Sequence, residues 1–232
     1  MEYYESYASN SISVEEKNEL LQRVFNTMGL GIGLSALSAY ATEQMILGGI
    51  LNPSLLIVFA IVEFILVIVL SAKITTMSIG TAKAAFCAYS VVNGATLSVL
   101  LLSYTRTSVI GTFLIAAGMF FAASLYGKTT KKDLSTLGSY CFMGLTGIII
   151  ASLVNMFIAS DGFSFIISIV AILIFIGLTA FDVSRISAMA ETTGYATEDD
   201  KSRVVIWGAL QLYLDFINIF IRLLSIFGKR KN

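Results

Sequence analysis

The sequence predicts an all-α membrane protein of seven transmembrane helices, with the seventh central in the bundle. Three observations carry this expectation. The chain is 56% hydrophobic and only 13% charged, with a mean hydropathy of +0.84, whereas soluble domains carry about 25% charged residues. A helix that crosses a bilayer needs about 20 mostly apolar residues, and seven stretches qualify: 24–42, 55–72, 82–104, 109–127, 137–159, 164–182 and 204–227. The last stretch, VVIWGALQLYLDFINIFIRLLSIF, is polar along one side. Its Gln211, Asp215, Asn218 and Arg222 are spaced i, i+4, i+7, i+11 and fall within a stripe of roughly 60° on a helix. A charge at the bilayer centre costs at least ~2.5–3.5 kcal/mol. The stripe must therefore face protein or water, which puts its helix inside the bundle.

The elements follow in order. Residues 1–22 form an N-terminal segment, expected to be partly disordered over 1–12. Ser13 and Glu16 fit a capping box, so a polar helix is expected to lead into the first span. Glu2, Glu5, Glu15, Glu16 and Glu19 precede the first apolar run, the wrong charge for a cleavable signal. The seven-helix domain covers 23–228. Its first span is rich in Gly, Ser and Ala, and Gly29 with Gly33 makes a GxxxG that predicts close helix packing. Pro53, after Asn52, starts the second span as a first-turn proline behind a cap. The loop 183–203, with Gly194 and the acidic run Glu198, Asp199, Asp200, is expected to be a solvated surface. Residues 229–232 form a basic tail.

Orientation comes from Lys and Arg. Alternate connections carry Lys17 and Arg23, Lys73 and Lys83, Lys128, Lys131 and Lys132, then Arg185, Lys201 and Arg203, while Arg106 stands alone on the other side. The N-terminus is therefore expected in the cytoplasm. The tail residues Lys229, Arg230 and Lys231 object, because seven full spans place them outside. A last segment that re-enters and returns would remove the objection.

Composition also excludes functions. The net charge is zero, so no nucleic-acid partner is expected. The chain has no histidine, which rules out His metal sites, Ser–His proteolysis and imidazole pH sensing. Cys87 and Cys141 lie in separate spans and read as small apolar residues. No nucleophile–base set or metal cluster is visible, so neither an enzyme nor a bound cofactor is expected.

Three acidic residues fall within or at the edge of the spans: Glu63, Asp182 and Asp215. Two carboxylates brought close in a low-dielectric site cannot both ionise cheaply, so the pair Asp182 and Asp215 would hold a proton or exchange it for a cation. The alternative for Asp182 is a salt bridge to Arg185. Residue counting raises a difficulty, since Asp182 ends its span while Asp215 lies deep in the next. They meet only if the sixth helix dips or the seventh begins in the cytoplasm. Glu63 and Arg222 both count to the outer half of the membrane and are expected to form an ion pair, as a brace or a latch. Lys73 and the other lysines read mainly as membrane anchors. Asn93 and Asn155 read as interhelical hydrogen-bond glue.

The segments LSAKITTMSIGTA (70–82), NGATLS (93–98), LYGKTTKKDLSTLGS (125–139), GLTAFD (177–182) and GALQLYLDFINIFIRLL (208–224) carry a resemblance. Over nearly all of 20–228 the chain resembles the Bax-inhibitor, or transmembrane Bax-inhibitor-motif, family in its bacterial branch. The resemblance implies a seven-helix bundle around the last helix and a pH-sensitive leak of Ca²⁺. It places the family's paired aspartates on Asp182 and Asp215 and its acidic second-span position on Glu63. Relatives often carry arginine where Lys73 and Ile74 stand, and again near Ser225; Arg222 lies one turn earlier. Lysine lacks the bidentate fork of arginine, so a latch at Lys73 would differ in kind. Some bacterial relatives are linked to membrane-bound proteases.

The resulting expectation is a weakly conducting Ca²⁺ leak in the bacterial inner membrane, gated by Asp182 and Asp215. Its partners would be the lipid bilayer, Ca²⁺ and protons, with Ca²⁺ held only transiently by the two aspartates. The alternatives are a regulatory partner of membrane proteases or stress machinery, and a proton-coupled cation exchanger.

Overall fold

The computed structural model describes residues 14–74, 76–193 and 197–231. Seven helices follow one another: α1 (Val14–Leu47), α2 (Leu55–Lys73), α3 (Ile79–Ser103), α4 (Arg106–Thr129), α5 (Ser135–Ile158), α6 (Asp161–Thr193) and α7 (Glu198–Phe227). All seven are long and apolar enough to cross a membrane. The expected segment 1–12, the cap at Ser13 and Gly194 lie outside the described residues.

Helix α7 packs against α1, α3, α4 and α6, whereas α2 packs mainly on α3 and α5 mainly on α6. Burial follows this order: 67% of the α7 span is buried inside the protein, against 6% for α2 and 11% for α5. The outward faces of α2 and α5 are therefore left to lipid, and α7 is the core. Tyr213, Leu210, Leu212, Ile219 and Leu224 of α7 are among the largest fully buried side chains.

One expectation about α6 and α7 needs correction. Residues 183–203 are not a loop. Helix α6 continues to Thr193, and α7 begins at Glu198. The acidic run is the first turn of α7. Thr197 caps it by accepting from the Asp200 amide at 3.3 Å, and the Asp200 carboxylate accepts from the Thr197 amide at 3.2 Å. Three carboxylates at a helix N-terminus also complement the helix dipole. Polar composition resembled a loop here because both helices project beyond the apolar layer.

The close approach in α1 also differs from the expected one. Gly29 and Gly33 have open space where a side chain would stand. The tight contact is made by the other face of α1. A Cβ on Gly94 of α3 would meet the Ser35 backbone, with Cα at 2.7 Å. Asn52 and Pro53 do not cap and open α2 as expected: the N-cap is Ser54 and Pro53 lies in the turn before the helix, where the Asn52 side chain accepts from the Ser54 amide at 2.9 Å. Cys141 is buried, but Cys87 is exposed.

The basic tail is explained at the far end of the bundle. Helix α7 is continuous over 30 residues, about 45 Å at 1.5 Å per residue, so it is long enough to cross and lacks the break that a re-entrant segment needs. Its tail then pairs with the α3–α4 connection. The Thr105 amide donates to Lys229 O and the Lys231 amide to Ser103 O, both at 2.9 Å. The Lys231 ammonium donates to Leu101 O at 2.5 Å and lies 3.5 Å from Glu43 Oε1. Glu43 is fully buried, and its other oxygen is 3.0 Å from Arg106. The tail thus answers a buried carboxylate that stands one residue beyond the expected end of the first span. Glu43→Gln should cost about 1–3 kcal/mol, the lower part applying because Arg106 and Lys231 can still reach water. Thermal melting in detergent and hydrogen exchange at 229–231 check this. An unchanged melt with a still-protected tail would rule out the clamp.

Candidate functional site

Along α7 the polar stripe faces one cleft. Gln211, Asp215, Asn218 and Arg222 all line a cavity of about 480 Å³ between α5, α6 and α7. Helix α6 forms its floor, contributing Phe175, Leu178 and Asp182, while Phe142, Ile148, Ile149 and Leu153 of α5 form an apolar wall.

The structure brings Asp182 and Asp215 together in this cleft. Each carboxyl is within hydrogen-bonding reach of the other, and each residue is only 4% exposed. The extension of α6 beyond Asp182 narrows the depth mismatch, whereas the early start of α7 works against it. Asp182 lies about 16 Å before the end of α6, and Asp215 about 25 Å after the start of α7. Two carboxyl groups can share a hydrogen bond only when one carries a proton. With both ionised, Asp215 Oδ2 has no hydrogen-bond partner among the described residues. Thr179 stands against Asp215, but its hydroxyl donates to Phe175 O at 2.7 Å. Arg185 makes no salt bridge with Asp182. Its guanidinium stacks on Trp207, 4.8 Å from the ring centre.

The expected Glu63–Arg222 ion pair is not formed. Glu63 Oε1 accepts from Asn93 Nδ2 and Oε2 from the Thr96 hydroxyl, each at 2.5 Å. The Tyr213 hydroxyl donates to Asn93 Oδ1 at 2.6 Å and lies 2.6 Å from Ser35 Oγ. A chain of polar contacts therefore runs from α2 through α3 and α7 to α1. The second span is tied to the seventh, but through Asn93 and Tyr213. The reason is angular. Tyr213 and Arg222 are nine residues apart, about 180° on a helix, so Arg222 faces α5 and α6 while Tyr213 faces α1 and α3. Arg222 stands alone in the cleft, with no ion-pair partner among the described residues. Lys73 is exposed at the end of α2 and makes no ion pair among the described residues. Asn93 is the interhelical glue expected of it, whereas Asn155 accepts from the Ser160 amide at 3.2 Å and caps its own helix.

A double-mutant cycle separates the two arrangements. Glu63→Ala and Asn93→Ala should be non-additive by about 0.5–3 kcal/mol, and Glu63→Ala with Arg222→Ala should simply add. Unfolding in detergent reports both. A coupling energy between positions 63 and 222 would restore the ion pair and remove the chain through Asn93.

Sequence reasoning did not reach Tyr213, Ser35, Thr179 or Glu43. Tyr213 had one available signal, since it lies two residues from Asp215 and so on the far side of the polar stripe. Serine and threonine in apolar helices gave none, because their hydroxyls commonly return to their own backbone, as Ser90 does to Phe86 O at 2.9 Å.

Comparison with known proteins agrees with this architecture. The chain is 45% identical over 219 residues to an uncharacterized protein of Borreliella burgdorferi, covering 93% of this chain and 94% of that one. It is 41% identical over 214 residues to the inner membrane protein YbhL of Escherichia coli K12, covering 91% and 92%. An uncharacterized membrane protein of Streptococcus pyogenes serotype M1 is 38% identical over 217 residues, covering 91% and 93%. The family model described as inhibitor of apoptosis-promoting Bax1 matches residues 17–232. With seven spanning helices, four of them packed on the one that carries Asp215, this chain is a multi-pass membrane protein and belongs to the Bax inhibitor family.

Proposed function

We propose that the protein is a weak, pH-sensitive leak path for Ca²⁺, gated by Asp182 and Asp215. The observation that carries this reading is the meeting of two buried carboxyl groups at the polar end of a cleft. A proton held between them joins α6 to α7. When the proton leaves, two negative charges face each other in a low-dielectric setting and repel. The helices loosen, and the same four oxygens become ligands for a cation. Ca²⁺ takes six to eight oxygens, so the remainder comes from water and neighbouring amides. Asn218 is suited to this. Its Nδ2 donates to Leu214 O at 2.8 Å, which leaves its Oδ1 free for a cation in the cleft. An incomplete protein shell favours transient passage over storage. Arg222, farther along the stripe, opposes a cation in the closed arrangement.

The relative YbhL is an inner membrane protein by name, and the same membrane suits this chain. The Lys and Arg distribution favours a cytoplasmic N-terminus and an external C-terminus. The clamp of Lys231 on Glu43 answers one of the three basic residues of that tail.

Purified protein in Ca²⁺-loaded liposomes, with and without a proton gradient, tests the reading. Orientation is fixed first by labelling single cysteines at 133, 161 and 199 in a cysteine-free background. Efflux that persists without a proton gradient and rises with pH is expected. Flux strictly tied to counter-moving protons would make the protein an exchanger. No flux under any condition would favour a regulatory partner of membrane proteases or stress machinery.

A further inference from the structure

The cleft is larger than a cation requires. Two carboxyl groups occupy one end, yet the cavity holds about 480 Å³, a volume typical of small-molecule sites with apolar walls and a few convergent polar groups. Its shape is also unusual for an ion path. Helix α5 packs on α6 and stands off from α7, so the cleft is open on the side facing the bilayer. The residues at that mouth, Phe142, Ile149 and Leu153, are 47%, 54% and 55% exposed. Deeper in, two buried polar atoms lining the cleft have no partner among the described residues: Asp215 Oδ2 and Ser152 Oγ.

We propose that this cleft is a binding site for a membrane-soluble monoamine, a single-headed amphiphile that enters from the bilayer. Its ammonium lies on Asp182 and Asp215, and its chain lies along the α5 wall. The argument is one of complementarity. An ammonium offers several donors to acceptors that lack them. An alkyl body matches Ile148, Ile149 and Leu153, which a hydrated ion does not. The lateral opening admits a ligand dissolved in lipid. Arg222 sets the class further. It lies two turns beyond Asp215, about 10 Å along α7, where a second cationic group on the same ligand would meet its guanidinium. A monocation therefore fits and a long diamine does not. The proposal rests on the reading of Asp182 and Asp215 as a cation site. It adds that an organic cation occupies the site in competition with Ca²⁺.

The test uses full-length protein in phosphatidylcholine nanodiscs and a diazirine-bearing alkylamine as photolabel. Crosslinks are mapped by mass spectrometry. Labelling should fall within 142–153 and 211–222. Dodecylamine should compete at a membrane fraction about tenfold lower than dodecanol. Asp215→Asn and Asp182→Asn should each abolish that preference. Ile149→Trp, which fills the mouth from its exposed side, should remove the labelling, with thermal melting confirming that the variant folds. Equal competition by dodecanol would show that the cleft takes any alkyl chain and would overturn the proposal. A preference that survives both aspartate substitutions would overturn it too. Ca²⁺ efflux is read separately. Amine binding in a protein that passes no Ca²⁺ would refute the leak reading and leave this site standing, while efflux without specific labelling would do the reverse.

Discussion

Asp215→Asn will flatten the pH dependence of Ca²⁺ efflux, and Asp182→Asn will do the same. The two carboxyl groups face each other in the cleft, and in the proposed gate a proton between them holds α6 against α7. The sign follows from what the proton stabilises. It favours the closed contact, so closure is strongest at low pH and is lost as pH rises through the step at which the proton leaves. Wild-type efflux should therefore increase with pH. An amide at either position cannot carry the opposing charge, so no repulsion develops and the cation loses half its ligand charge. A coupling of about 1.4 kcal/mol between protonation and opening changes the open population about tenfold. That rise should shrink to within about twofold in either variant. Efflux from liposomes at about pH 5 to 8 covers the range in which a buried carboxyl loses its proton. Two variants with unaltered wild-type profiles would place the gate elsewhere and leave these carboxyl groups structural.

The largest loss of stability is expected at Gly94. A Cβ there would stand 2.7 Å from Ser35 Cα and 2.8 Å from Ser35 C, contacts with backbone that no rotamer relieves. Gly94→Val must push α1 and α3 apart, and overpacking alone costs about 1–3 kcal/mol. The separation also breaks the contact of Ser35 with Tyr213 and strains the link through Asn93, so a total of about 3 kcal/mol or more is expected. Gly33→Val is the control. That position has open space around it, and the change should stay within about 0.5 kcal/mol. Thermal unfolding of both variants in one detergent decides the matter. A Gly33 variant as unstable as the Gly94 variant would return the helix contact to the GxxxG face.

Much of the architecture was legible because lipid imposes a strict rule. Every backbone group must be satisfied within its own helix, so each apolar stretch of about 20 residues had to be a helix. The polar stripe on α7 was legible for the same reason. Hydrocarbon cannot solvate Gln211, Asp215, Asn218 and Arg222, so their helix had to be interior. The mistaken loop lies where that rule stops applying. Beyond the apolar layer, Arg185 and the run at 198–200 suit a helix as well as a loop, and only the capping of Thr197 with Asp200 shows which was adopted.

The sequence by itself determined the class, the number of spans, the central place of α7 and the face of α7 that had to be sheltered. Each of these follows from the cost of exposing charge or bare backbone to lipid, a property of one segment at a time. Which groups meet across helices was decided only by tertiary structure. Glu63 and Arg222 are opposite charges at similar counted depth, yet α2 reaches α3 and never the cleft, so Glu63 is answered by Asn93 and Thr96. Asp182 and Asp215 counted to different depths, yet α6 runs on well past Asp182 and the two carboxyl groups meet in the cleft. Contact depends on helix order, rotation and overrun, and none of these leaves a local signal in the residues that end up touching.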